Sequence, residues 1–307
     1  MESIGEGSPE RMEESMRKLA IVITALLLVA VLGLMLVSVG VVPWPFAAGT
    51  TGAQQASSGV FSSKARETSE HTVEIRPKLY VETPHGSIEI SGAEVDQIQI
   101  TMNVEVSAGS TQRAQEVLEQ VYLDINTSAA ENRLIVRRPK LLQNEQAQAD
   151  LTILVPVDTE LELRSGLGDL EVKQIEGDLK AFTSLGTIAV RNYEGSAHLN
   201  TTLGDIHVSA SQFTEQLRAI SHLGDLVISG SLATTNVLES HLGDARLHLP
   251  AEESYVLDGR ISLGEIYVGV PFEGQEKENS IQGTIGQGEP RGTISVTLSL
   301  GSLRLTN

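Results

Sequence analysis

A four-residue phrase returns seven times between Leu167 and the C-terminus, and nothing else in the chain limits its fold so tightly. It reads Leu167-Gly168-Asp169-Leu170, Leu185-Gly186-Thr187-Ile188, Leu203-Gly204-Asp205-Ile206 and Leu223-Gly224-Asp225-Leu226. It continues as Leu242-Gly243-Asp244-Ala245, Leu263-Gly264-Glu265-Ile266 and Leu300-Gly301-Ser302-Leu303. Successive glycines stand 18, 18, 20, 19, 21 and 37 residues apart, the last gap close to two periods. A fixed period of about twenty residues marks stacked units, none of which can bury its apolar side alone.

With the Gly as position zero, −1 is always Leu, +2 is apolar, and +4 is Val172, Val190, Val208, Ile228, Leu247, Val268 or Leu305. Mostly polar residues fall between +2 and +4, which is the alternation of a half-buried strand. The Gly suits a corner where φ is positive or another backbone comes close, and an Asp or Ser after it can hydrogen-bond the local backbone. Gly168, Gly177, Gly186, Gly195 and Gly204 lie nine apart, so each coil is expected to hold two short strands and two corners. The expected fold is all-β: a β-solenoid of stacked 18–21-residue coils over residues 165–307, its −1 leucines stacked about 4.8 Å apart in a buried column. Gly283–Gly288 is expected to fill the missing coil, a loop at 273–278 to lie exposed, and the seventh phrase to end the stack at an edge needing protection.

Ahead of the repeats the chain divides by composition. Residues 1–18 are polar with Arg11, Arg17 and Lys18, and Leu19–Val42 is uncharged and apolar, ending at Pro43-Trp44-Pro45. About twenty apolar residues span a bilayer. Basic residues before the run and none after it until Lys64 place the N-terminus in the cytoplasm and the remainder outside. A cleaved signal peptide is the competing reading, but its apolar core would be about 7–15 residues. Residues 43–66 read as a flexible Gly/Ala/Ser/Thr-rich linker. Residues 67–164 read as a β-rich part with the only other helix near 111–123, capped by Ser110 or Thr111 and supplying an atypical end to the stack.

The chain has 307 residues, no Cys and a formal net charge of −18. That excludes disulfides, thiolate metal sites and a Cys nucleophile, while the acidity opposes nucleic-acid binding. With aromatics at 4%, there is little to stack sugars or bases on.

From Val155-Pro156 through Val208 the sequence resembles the bacterial putative-adhesin family, domains of unknown function that often follow an N-terminal membrane segment. His85-Gly86-Ser87-Ile88, Gly168-Asp169-Leu170 and Gly186-Thr187-Ile188 carry the resemblance, which extends over about residues 70–307, with Gly283–Asn307 as closing strands. It implies a β-solenoid displayed in the envelope and, by name, adhesion. This chain has Leu where the family has Asn before the Gly.

Two groups of residues invite a metal. Asp169, Asp205, Asp225, Asp244 and Glu265 share one repeat position and could form a calcium ladder, but Thr187 interrupts the row and turn chemistry accounts for it. His222 and His241 head successive Ser-His-Leu-Gly-Asp phrases and are expected to stack, either as solvated imidazoles or, with Asp225 and Asp244, as a transition-metal site. Neither group is assigned a metal, and no catalytic residue or cofactor is assigned. There is no G-x-S-x-G and no H-E-x-x-H, so the chain reads as no enzyme. The expected function is a single-pass, membrane-anchored extracytoplasmic binding, adhesion or scaffolding surface with an envelope protein or glycan as partner. A sensor of envelope stress or cations, signalling through a membrane partner, is the alternative.

Overall fold

A computed structural model describes residues 63–307. The apolar run 19–42, the tail before it and most of the spacer lie outside the described residues, among which no helix is long and apolar enough to cross a membrane. Strand β1 begins at Ser63, so the last four residues assigned to the linker belong to the folded part.

The described residues form 22 strands and one helix. Each regular coil runs up one strand, turns at the Gly, and returns along a second. Coils of this kind are β8 (Glu160–Leu167) with β9 (Leu170–Lys173), β10 (Leu179–Leu185) with β11 (Ile188–Arg191), and β15 (Thr235–Leu242) with β16 (Ala245–His248). Between the last two lie β12 (Glu194–Leu203), the 18-residue β13 (Ile206–Leu223), which crosses from one sheet to the other, and β14 (Leu226–Ser231). First strands pair in parallel to form sheet I and second strands to form sheet II. The second corner falls six residues past the Gly, where Gln174, Asn192 and Ala210 adopt φ of 56°, 51° and 50°.

The core lies between the sheets. It receives the +2 and +4 residues of sheet II, such as Ile188, Val190, Leu226 and Ile228, and the −5 and −7 residues of sheet I, such as Leu161, Leu163, Leu179, Leu199 and Leu217, all essentially buried. Burial of such side chains stabilises by about 1.5–3 kcal/mol each.

Chain order and stacking order diverge at both ends. β2 (Lys78–Thr83) and β3 (Ile88–Gly92) form the first coil, and its His85-Gly86-Ser87 corner stacks directly on Gly168: the Gly86 N–H donates to Leu167 O at 2.7 Å. Beyond it lie β6 (Glu131–Arg137) and β7 (Gln146–Val155), so the first coil is internal. At the other end β21 (Gly292–Leu300) and β22 (Leu303–Thr306) insert between β15–β16 and the coil of β17 (Tyr255–Leu263) with β18 (Ile266–Val268). The expectation of a closing edge coil is therefore corrected. The seventh phrase is interior, and Gly301 lies between Gly243 and Gly264. Residues 280–285 do not fill a coil; they form β20 (Ser280–Ile285), paired antiparallel with β17 and with β19 (Phe272–Lys277), where a loop was expected. The C-terminal strands β21 and β22 are thereby held by pairing on two sides, which opposes the usual fraying of a terminus.

The true edges are managed differently. The hairpin β19–β20 covers sheet I, while sheet II ends on β18, only three residues long. At the other end, β1 (Ser63–Val73) pairs with β4 (Ile98–Ala108), which pairs with β7, and β5 (Tyr122–Thr127) closes sheet I on β6. β1 carries Lys64, Arg66, Glu67 and Glu70, and charge on an edge discourages further strand pairing. Helix α1 (Thr111–Leu118) buries Ala114, Val117 and Leu118 beside β1 and β4. Ser110 Oγ accepts from Arg113 N at 3.2 Å as the N-cap. The helix ends earlier than the 111–123 expected. The Arg113 guanidinium, 2.6 Å from the enclosed Glu145 carboxylate, ties it to the loop before β7 and holds that acid below the usual carboxylate range.

Candidate interaction surface

The Gly corner shows what the repeat is for. Gly224 has φ +151°, and a Cβ there would lie 2.1 Å from the carbonyl oxygen of Gly204 one coil away. No side chain fits that approach. The corner backbone is paired as it passes: Gly186 N donates to Leu203 O, Gly204 N to Leu223 O and Gly224 N to Leu242 O, at 2.8–2.9 Å.

Two side-chain ladders flank the turn. At +1, Asp169 Oδ1 accepts from Thr187 N at 2.7 Å, Asp205 from Asp225 N at 2.8 Å, Asp225 from Asp244 N at 2.9 Å, and Asp244 from Ser302 N at 2.9 Å. The acidic row is turn chemistry between coils. At −3, Ser165, Thr183, Thr201, Ser221 and Ser240 each donate a buried hydroxyl to the corner Gly carbonyl of the neighbouring coil, at 2.9–3.1 Å. This second ladder was readable in the fixed spacing of Ser or Thr from the Gly and was missed.

The −1 leucines are not buried. Leu167, Leu185, Leu203, Leu223, Leu242, Leu300 and Leu263, in that spatial order, remain between 40% exposed (Leu223) and 67% exposed (Leu263). Their Cα atoms pair in register from coil to coil. The pairing passes from Thr183↔Thr201 straight to Leu185↔Leu203, leaving out the −2 residue. The −2 residue drops out on both strands alike, so the register is kept while the in–out alternation breaks, and −2 and −1 are both exposed. Position −1, inward by simple alternation, thus faces water. Six steps of about 4.8 Å make a ridge about 29 Å long. Covering it fully would be worth about 5–10 kcal/mol gross, given about 1.5–3 kcal/mol per buried leucine.

One flank of the ridge carries the acids. Arg246 reaches Asp225 and Asp244, each at 2.8 Å, and His207 lies 3.6 Å from Asp205. The other flank carries the −2 residues, including His222 and His241, which stack with ring centroids 5.0 Å apart and planes 12° from parallel. Both rings are exposed. The stacking expected from the repeat is present, but the nearby Asp225 and Asp244 point their oxygens at backbone amides and Arg246. Among the described residues, no three His, Asp or Glu side chains converge as a metal site would require.

The outer face of sheet I holds a second feature. Lys180, His198 and Arg218 are register neighbours on successive coils, and Phe182 lies between the Arg164 guanidinium (4.9 Å) and the His198 ring (5.2 Å). Burial, with Arg218 and Lys180 nearby, lowers the His198 pKa and favours the neutral ring. At the end of the same face, the Tyr80 phenol lies under Arg133 and is pushed up to about 12, chiefly by burial and its bond to Glu82. The concavities here are small, about 130 Å³ beside Lys180, His198 and Gln216 and about 180 Å³ between β1 and the α1–β5 segment. Small-molecule clefts run to about 300–1,000 Å³. A wider one, about 500 Å³ at Gln120, Tyr122 and Arg137, is an open trough.

The family model described as Toastrack DUF4097 matches residues 76–302. No curated protein matches the chain. Among solved structures, one from Bacteroides fragilis NCTC 9343, called a putative adhesin, is 15% identical, with 79% of this chain and 98% of that one covered at a TM-score of 0.46. A structure from Clostridium sporogenes ATCC 15579, described in terms of cell adhesion, is 13% identical over 78% of this chain and 99% of that one, with a TM-score of 0.34. A third, from Parabacteroides distasonis ATCC 8503 and described in terms of lipid binding, is 10% identical over 77% and 96%, with a TM-score of 0.34.

Proposed function

This chain belongs to the Toastrack DUF4097 family, and from that premise we propose that it is a single-pass, membrane-anchored protein presenting a non-catalytic binding surface outside the cell. The observation that carries the binding role is the leucine ridge: seven in-register leucines left open to water along one corner. At about 300 Å² the strip is comparable to the largest apolar patch a typical domain exposes, and such patches are often functional. Its unbroken register along one corner singles it out. The names of the structural neighbours, two of them concerned with adhesion, agree with such a role. Anchoring is supported by the apolar run 19–42 and by the charge asymmetry around it. Contact spread along a rigid ridge favours extended, multivalent engagement in place of chemistry in a pocket.

The absence of cysteine from the sequence makes a clean test available. The single-cysteine variant Leu223→Cys, in intact cells, is expected to react with a membrane-impermeant maleimide without lysis. Labelling that requires lysis would place the solenoid inside and end this reading.

A further inference from the structure

We propose that the ridge docks the apolar face of a basic amphipathic α-helix contributed by a partner protein, an inference that rests on reading the ridge as the binding surface. The backbone excludes the simplest alternative. Strand addition needs free N–H and C=O groups at an edge, whereas along the ridge the corner amides and carbonyls are already used from coil to coil. Recognition there must pass through side chains.

A helix fits the spacing. Its turns repeat every 5.4 Å, against about 4.8 Å for the leucines. Over six steps the mismatch stays below one leucine spacing, so a helix of about 19 residues can set one apolar side chain per turn against the row. Charge selects the partner's sign. Asp169, Asp205, Asp225, Asp244 and Glu265 line one flank, and among the described residues the only arginine pairing with them is Arg246, at Asp225 and Asp244. Asp169 and Glu265, at the two ends of the row, have no ion-pair partner among the described residues, and Asp169 uses one oxygen on Thr187 N. Lysines or arginines beside the helix's apolar seam would meet these acids.

A second copy of the chain fits less well. A strip about 29 Å long and about 10 Å wide offers about 300 Å² per partner, against about 800 Å² in a standard interface, and both copies would carry a net charge of −18. An anionic bilayer would meet the same acidic flank unfavourably.

The probe is a fluorescent peptide of about 19 residues with a leucine seam flanked by lysines, titrated against the full-length chain. A second peptide has glutamates for the lysines. The lysine peptide is expected to bind at micromolar Kd and the glutamate peptide roughly tenfold more weakly or worse. Asp169→Asn with Asp205→Asn, which keeps an oxygen for the corner amides, is expected to weaken binding several-fold and flatten its salt dependence. Leu203→Ser, Leu223→Ser and Leu242→Ser together should lower affinity roughly tenfold or more with the melting temperature unchanged. Equal binding of the two peptides, or unaltered binding by the Asn pair, overturns the basic-helix assignment. So would a self-association, or a binding to phospholipid vesicles, that the leucine substitutions abolish. In each of these last two cases the ridge would remain a binding surface, and only its occupant would be wrong. Lysine-peptide binding that the leucine substitutions leave intact overturns the docking proposal and counts against the ridge itself.

Discussion

A chain ending at Arg291 is expected to lose not one coil but everything beyond β16. The deleted strands β21 and β22 sit inside the stack, pairing with β15 and β16 on one side and with β17 and β18 on the other. Their loss removes five fully buried side chains, Ile294, Val296, Leu298, Leu303 and Leu305, each worth about 1.5–3 kcal/mol of burial. It also cuts every parallel pairing of β17 and β18, leaving residues 255–285 as a small antiparallel sheet of β17, β20 and β19. That sheet would have lost the stack its apolar face packs on, and three short strands without a covered face are marginal in water. Limited proteolysis read by mass spectrometry should show cleavage throughout 250–291 while the coils from Gly168 to Gly243 stay protected. Had the seventh phrase been the outermost coil, truncation would spare its neighbours. Protection of 255–285 in the truncated chain would contradict the interleaved topology.

Gly224→Ala is expected to destabilise the stack by about 3 kcal/mol or more, since backbone strain and backbone overlap act together. The new Cβ would fall 2.1 Å from Gly204 O and 2.5 Å from its carbon, and neither atom can move without disturbing the ladder on both sides. For a chain of this size, about 1 kcal/mol lowers Tm by about 2–4 °C, so a fall near 10 °C is expected. Gly288→Ala provides the contrast. Gly288 also has positive φ, +92°, but nothing lies within 4 Å of the added carbon, so the cost is conformational alone, about 1–2 kcal/mol. Equal shifts for the two variants would show that coil-to-coil contact is not what the corner glycine protects.

Much of this architecture could be read from the residues. The period, the two strands per coil, the inward +2 and +4 positions and the stacking of His222 on His241 follow from the spacing alone, because parallel coils in register place equal positions above one another. The helix N-cap was legible as Ser110 or Thr111, and the Ser110 hydroxyl is the one that accepts from Arg113 N. The side of the −1 leucines was not. Period-two alternation assigns −1 inward, and only the −2 residue dropping from the pairing turns it out. The order of stacking was not legible either. His85-Gly86-Ser87 and Leu300-Gly301-Ser302 look like ordinary copies, and no local signal tells a coil whether its spatial neighbour is also its neighbour in sequence. The hydroxyl ladder at −3 was available and overlooked, since Ser and Thr in an apolar pattern read as interruptions until the carbonyls they meet are seen. As for the site, the sequence drew attention to the acidic and histidine rows beside the leucines, while the surface that stands out in the fold is the row between them.

The most direct test of the ridge as a working surface is photo-crosslinking in intact cells. A photoactivatable side chain at Leu203, in the middle of the ridge, is compared with one at Glu215, an exposed position in β13 away from it. If the ridge binds a partner, Leu203 gives a discrete crosslinked species that Leu223→Ser with Leu242→Ser removes, and Glu215 does not give it. Crosslinks from Glu215 alone, or a Leu203 product indifferent to the neighbouring leucines, would mean that the ridge is a structural seam and that the binding surface lies elsewhere.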